Sequence, residues 1–183
     1  HVFEKSPEQG VMVVTTAWGK SYPVREVLAA SRKDDAAIFR IDLAGDLLTP
    51  IPLRGGAGPG EVVAVLSHPG GNFFSFSPGH VSRRAWRFGG LNGGVGELRP
   101  TDPHAEAIAP DKYDKLARAI EITADYGVGS SGGPVLDLHG NVVGMVSCTA
   151  PIFSNPENGH VLQMSIHICV PAESILSLIR PAN

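Results

Sequence analysis

Short apolar runs separated by glycine, proline and charged clusters fill this chain, and their period favours strands over helices. Val11-Met12-Val13-Val14-Thr15-Thr16-Ala17 is rich in β-branched residues and predicts a strand, turned by Trp18-Gly19-Lys20. A second strand is expected over Tyr22–Ala30 and a third over Ala36–Ile41, joined by the charged turn Ser31-Arg32-Lys33-Asp34-Asp35. Residues 42–59 are punctuated by glycine and proline, and Leu48–Leu53 suits an extended connection. Strand character returns in Glu61–Leu66 and in Phe73–Val81, on either side of the turn His68-Pro69-Gly70-Gly71. Ile120–Thr123 reads as a strand, Val135–Gly144 as a strand, turn and strand, and Val142–Thr149 continues the latter. After a polar loop over Pro151–Gly159, Met164–Val170 is a further strand.

Helix signals are few. Pro171–Ile179 carries one, with Pro171 near the start and Ile175, Leu178 and Ile179 on one face. Asp111–Ala119 predicts a second, short helix inside Arg83–Arg118, the stretch with the weakest pattern. That stretch, with its glycine-rich run Gly89–Gly96, reads as a surface insertion in preference to a lid over a cleft.

Composition narrows the class. The 183 residues include 22 glycines and 15 prolines, about a fifth of the chain, as a β-rich fold with many turns requires. A net charge of −3 gives no electrostatic case for nucleic acid. No run approaches the roughly 20 apolar residues of a membrane-spanning helix. Two cysteines, Cys148 and Cys169, are too few for a disulfide-built scaffold. They fall on segments expected to lie antiparallel as neighbours, and two thiols acting as small hydrophobes are preferred over a bridge. The chain opens on His1, with no initiator methionine and no signal peptide, and the native chain is expected to extend further upstream.

The densest chemistry lies in Asp125-Tyr126-Gly127-Val128-Gly129-Ser130-Ser131-Gly132-Gly133-Pro134. Gly-x-Ser-x-Gly occurs both in the nucleophile elbow of α/β-hydrolases and in the loop of serine peptidases. An elbow runs into a helix, whereas Gly132-Gly133-Pro134 starts a helix poorly and leads into a hairpin. The elbow reading would also place its acid and base after the serine, at Asp137 and His160 or His167, and needs strand–helix alternation that this chain lacks.

Gly129-Ser130-Ser131-Gly132-Gly133-Pro134 resembles the active-site loop of trypsin-like serine peptidases. Asp35-Ala36-Ala37-Ile38 resembles the Asp-x-Ala-aliphatic signature of that family's triad aspartate, and His1-Val2 the end of its histidine signature. Glu61–Gly71 is similar to the strand and His-Pro-Gly turn that open the second barrel in bacterial members. The order His1, Asp35, Ser131, with separations of 34 and 96 residues, fits the same topology.

The resemblance spans essentially the whole chain. It implies an all-β, two-barrel chymotrypsin-like fold with a C-terminal helix and a first barrel incomplete at its N-terminal side. Residues 1–45 would be the remainder of that barrel, 46–60 the link, 61–170 the second barrel and 171–183 the helix and tail. The implied activity is peptide-bond hydrolysis, with Ser131 as nucleophile, His1 as base and Asp35 as its orienting acid, Asp34 standing as the alternative. The backbone N–H groups of Gly129 and Ser131 would form the oxyanion hole, and Asp125, Ser147 and Thr149 would contact substrate. Asp125, six residues before Ser131, would reach the pocket floor and favour Arg or Lys before the scissile bond. Ser130 departs from the family's frequent aspartate and suggests a domain needing no zymogen cleavage.

No cofactor is implied, and the histidines show no zinc-site spacing. His104-Ala105-Glu106 matches half a deaminase signature, but no Pro-Cys-x-x-Cys follows. The expected partner is a peptide or protein substrate, with no nucleic acid, no membrane span in this chain and room for further domains outside it. A secreted or periplasmic location rests on the resemblance alone. The rival from another class is a catalytically inactive peptide-binding domain of the same fold.

Overall fold

The computed structural model describes residues 1–2, 12–88, 97–98, 116–154 and 161–179. Three strands come first: β1 (Val13–Thr15), β2 (Ser21–Ser31) and β3 (Ala36–Ile41), an antiparallel meander in that order. The turn from β2 to β3 ends at Asp35, whose φ of 55° is left-handed, a conformation that aspartate tolerates better than most side chains.

The second half is built from β4 (Val62–Ser67), β5 (Ser75–Phe88), β6 (Glu97–Leu98), β7 (Leu116–Ile122), β8 (Pro134–Asp137), β9 (Val142–Phe153) and β10 (Leu162–Pro171). Its order is β4-β8-β9-β10-β7-β5-β6, and β4 also pairs with β5. That pairing closes six strands into a ring with β6 on its outside, so none of the six is an edge strand throughout its length. Strand period explains the interior: Val63 and Val65 are buried while Val62 and Leu66 are exposed. Val81, Ile120, Val135, Val143, Val146 and Cys169 complete the core from the other five strands. Each fully buried aliphatic side chain contributes on the order of 1.5–3 kcal/mol of transfer free energy, before ordering costs.

Helix α1 (Ala172–Ile179) follows β10 directly, with Pro171 as the last strand residue, and packs against β2 and β3 as well as β9 and β10. Glu173 Oε1 accepts from Arg84 Nη2 and from the Gly56 N–H, both at 2.8 Å, tying the helix to barrel and link. The link itself is zipped onto the start of β9: the Val142 N–H donates to Pro52 O and the Arg54 N–H to Val142 O.

Three expectations need correction, the first being that a polar loop begins at Pro151: β9 runs on through Phe153, paired with β10. Arg83–Phe88 belongs to no insertion; it is the second half of the 14-residue β5, paired with β7. Arg83 opposes Glu121 and holds that buried carboxylate through two bonds of 2.6 and 2.7 Å. Leu116–Ala119, expected at the end of a helix, is strand, because buried Ala117 and Ala119 flank exposed Arg118 with a period of two. Phe3–Val11, the Gly89–Gly96 loop, His104, Asp111–Lys115 and His160 lie outside the described residues. Strands β9 and β10 do run antiparallel, with Cys148 opposite Ile168 and Cys169 opposite Val146; both cysteines are free thiols. Burial pushes the Cys169 thiol up to about 12, so it packs as a neutral group.

Candidate active site

The loop joining β7 to β8 carries Ser131, and its backbone is pinned to β9. The Gly132 N–H donates to Val146 O at 3.0 Å and the Val146 N–H to Gly133 O at 2.9 Å. Within the loop, the Ser130 N–H donates to Gly127 O and the Gly133 N–H to Ser130 O. Its glycines have separate causes. Gly129 and Gly132 have φ of 97° and 85°, where side chains are disfavoured. Gly133 has no room: a Cβ there would lie 2.8 Å from Leu66 O.

Three side chains from distant parts of the chain meet at this loop. Ser131 Oγ is 2.8 Å from His1 Nε2, and His1 Nδ1 is 2.7 and 2.9 Å from the two oxygens of Asp35. The His1 backbone nitrogen donates to Asp35 Oδ1 at 2.7 Å, a bond open to an amine or an amide. Asp34 is turned elsewhere, with Oδ2 2.7 Å from Ser31 Oγ, so Asp35 is the carboxylate beside the imidazole. Nδ1 facing a carboxylate must carry a hydrogen, which leaves Nε2 free to accept one from Ser131. A cavity of about 640 Å³ opens over these groups, lined by His1, Asp35, Gly129 and Ser131 among others.

Ser147, expected to contact substrate, is buried, and its hydroxyl turns to Asp35. Its Oγ donates to Asp35 Oδ2 at 2.6 Å and accepts from Arg87 Nη1 at 3.0 Å. Arg87 Nη2 stands 4.0 Å from the same carboxylate oxygen, with its side chain 15% exposed. Sequence reasoning missed Arg87 because nothing local separates it from Arg83 and Arg84; only the length of β5 carries it to the site. Thr149 is exposed on β9, opposite His167 of β10.

Asp125 also departs from expectation. Its side chain is 93% exposed, 3.9 Å from His167 Nε2, and it does not line the cavity. Beyond the end of β7 at Ile122 the chain continues as an irregular segment in which Ala124 and Tyr126 are buried while Thr123 and Asp125 are exposed. Tyr126 takes the inward place, its hydroxyl directed to Ile168 O at 2.8 Å and Cys148 O at 3.0 Å. Asp125→Ser is therefore expected to leave the preference for the residue before the scissile bond unchanged. A peptide library varied at that position and compared between the two proteins checks this.

The family profile described as "Trypsin-like peptidase domain" matches residues 1–145. The chain belongs to this trypsin-like peptidase family. Among its relatives, a serine protease of Mycobacterium tuberculosis is 33% identical over 148 residues, covering 74% of this chain and 32% of the relative. A protein named "Serine protease HtrA-like" from Staphylococcus epidermidis is 27% identical over 124 residues, covering 67% of this chain and 19% of its own length. The trypsin-like chain thus spans about a third or less of these relatives. Among solved structures, the HtrA-type protease AlgW with a tripeptide superposes with a TM-score of 0.62 at 19% identity, covering 93% of this chain and 46% of that one. The Rv3671c protease in an inactive form gives 0.58 at 21% identity, covering 91% and 69%. These two likenesses establish the fold. Among the described residues of the trypsin-like domain, no helix is long and apolar enough to cross a membrane, and no cluster of metal-ligating side chains occurs.

Proposed function

We propose that this domain is a serine endopeptidase in which Ser131, His1 and Asp35 act as a triad. The observation that carries the reading is the unbroken run of hydrogen bonds Ser131 Oγ–His1 Nε2 and His1 Nδ1–Asp35, formed by residues 34 and 130 positions apart. Ser131 Oγ attacks the substrate carbonyl as its proton passes to His1 Nε2. Asp35 holds the imidazole in the accepting tautomer and stabilises the imidazolium that forms. The N–H groups of Gly129 and Ser131 stabilise the oxyanion, worth on the order of 10²–10³ in rate per donor. Collapse of the tetrahedral intermediate hands the proton from Nε2 to the leaving amine, and water then releases the acyl group by the same steps in reverse.

Substrate would bind as an added strand along β9 from Ser147 onward. There β9 pairs with β10 on one side, while its pairing with β8 ends at Met145. Ser147 and Arg87 act behind Asp35: the hydroxyl donates to the carboxylate, and the guanidinium fixes the hydroxyl.

The test is a fluorophosphonate probe applied to the full-length protein, followed by peptide mapping. Stoichiometric adduct on Ser131 is expected. A domain that only binds peptides stays unlabelled.

A further inference from the structure

The peptide between Val128 and Gly129 is held from outside the nucleophile loop. In the 3₁₀ turn Pro69–Gly71, between β4 and β5, the Gly70 N–H donates to Val128 O at 2.7 Å. A trans peptide is planar, with its C=O and N–H pointing in opposite directions. A carbonyl drawn to Gly70 therefore sends the Gly129 N–H the other way, away from the turn. The turn also presses on the Gly129 α-carbon, where a Cβ would lie 2.7 Å from His68 O. A reversed peptide would give up the bond to Gly70 and direct Val128 O to the side now occupied by the N–H.

Two side chains, His68 and Asn72, brace the turn in its own right. Phe74 has φ of 62°, a left-handed conformation that a bulky side chain disfavours. Its N–H donates to His68 Nδ1 at 2.9 Å, so the imidazole ties the end of the turn to its beginning. The Asn72 N–H and Nδ2 both donate to Pro69 O, and the Gly71 N–H to His68 O. The rings of Phe73 and Phe74 pack on the imidazole with centroids 5.3 and 5.2 Å away. His68 is exposed and lines the cavity, so this ring is no part of the core.

We propose that His68 is a positioning residue for hydrolysis: its Nδ1 closes the β4–β5 turn, and that turn's Gly70 N–H holds the Val128–Gly129 peptide in the orientation that supplies an oxyanion donor. This rests on the reading of Ser131 as nucleophile and Gly129 as donor.

The experiment compares wild type, His68→Phe and His68→Asn in the full-length protein. Phenylalanine keeps a ring and removes the acceptor; asparagine offers Oδ1 near the place of Nδ1. The readouts are kcat and KM on a peptide amide, and the inhibition constant of a peptidyl boronic acid whose tetrahedral adduct puts an oxygen in the hole. His68→Phe is expected to lose about 10- to 100-fold in kcat, part of the effect of deleting one donor, with a matching loss of boronate affinity and KM within about twofold. His68→Asn is expected to recover most of both losses. Unchanged kcat in His68→Phe, equal losses in the two variants, or a change confined to KM overturns the proposal. If His68→Phe does not fold, His68→Ala takes its place, and failure of both to fold also overturns it, since the residue then secures the fold instead of the peptide. Wild-type protein that a fluorophosphonate leaves unlabelled at Ser131 refutes the nucleophile reading beneath it; labelled wild type with an unaffected His68→Phe refutes this inference alone.

Discussion

Ser131→Ala is expected to lower turnover of a peptide substrate by about 10⁶-fold, as deletion of a triad nucleophile does in other serine peptidases. The size follows from what remains. The proposed oxyanion donors and substrate strand would survive, but no covalent intermediate could form, and His1 Nε2 would lose the hydroxyl now 2.8 Å away. Binding of an uncleaved peptide should change little, because the hydroxyl is a small part of the surface that substrate covers. Ser130→Ala is the control. Its hydroxyl is buried and has no hydrogen-bond partner among the described residues, while the loop bond it makes to Gly127 comes from its backbone N–H. Single-turnover rates and peptide affinities for both variants check the contrast. Equal losses would mean that the wrong serine, or the wrong mechanism, has been assigned.

Asp35→Asn is expected to cost about 10⁴-fold in kcat with a small change in KM. The carboxylate accepts from the His1 backbone nitrogen, His1 Nδ1 and Ser147 Oγ, three donors on two oxygens. An amide of the same shape must present its NH₂ to one of them. Turned toward Nδ1, it would select the tautomer with hydrogen on Nε2, which cannot take the proton of Ser131. Steady-state kinetics give the size of the loss. Slower fluorophosphonate labelling of a protein with unchanged thermal stability would assign it to the imidazole and not to the fold.

Arg87 extends this arrangement, and its history shows where sequence reasoning stops. Period-two burial was legible in most of the barrel strands, since β-branched runs such as Val62–Val65 declare themselves locally. It was illegible in Arg83–Phe88, where charged side chains pair across the sheet, as Arg83 does with Glu121, and Trp86 lies under Arg118 of the neighbouring strand. A stretch with such side chains looks like surface until its partner strand is known. Leu116–Ala119 misled for a related reason: alanines favour helices in isolation, yet here Ala117 and Ala119 are buried in a strand paired with β5.

By itself the sequence determined the local chemistry of this protein. The glycines around Ser131 mark positive φ or close backbone approach, the hairpin after Pro134 excludes an elbow, and the order of His1, Asp35 and Ser131 limits the topology. Each of these is written in a few adjacent residues or in chain order. Tertiary structure decided which face each residue presents and what stands behind it. Asp125 sits where a fixed offset would make it read substrate, yet the irregular segment after β7 leaves it in solvent and gives the inward place to Tyr126. Ser147 lies on the strand that substrate would follow, but its side chain turns back to Asp35. His68 and Arg87 reach the site only because β4 pairs with both β5 and β8 and because β5 runs on to meet β7. Barrel closure and register set those contacts, and both depend on pairings tens of residues apart that no local pattern encodes.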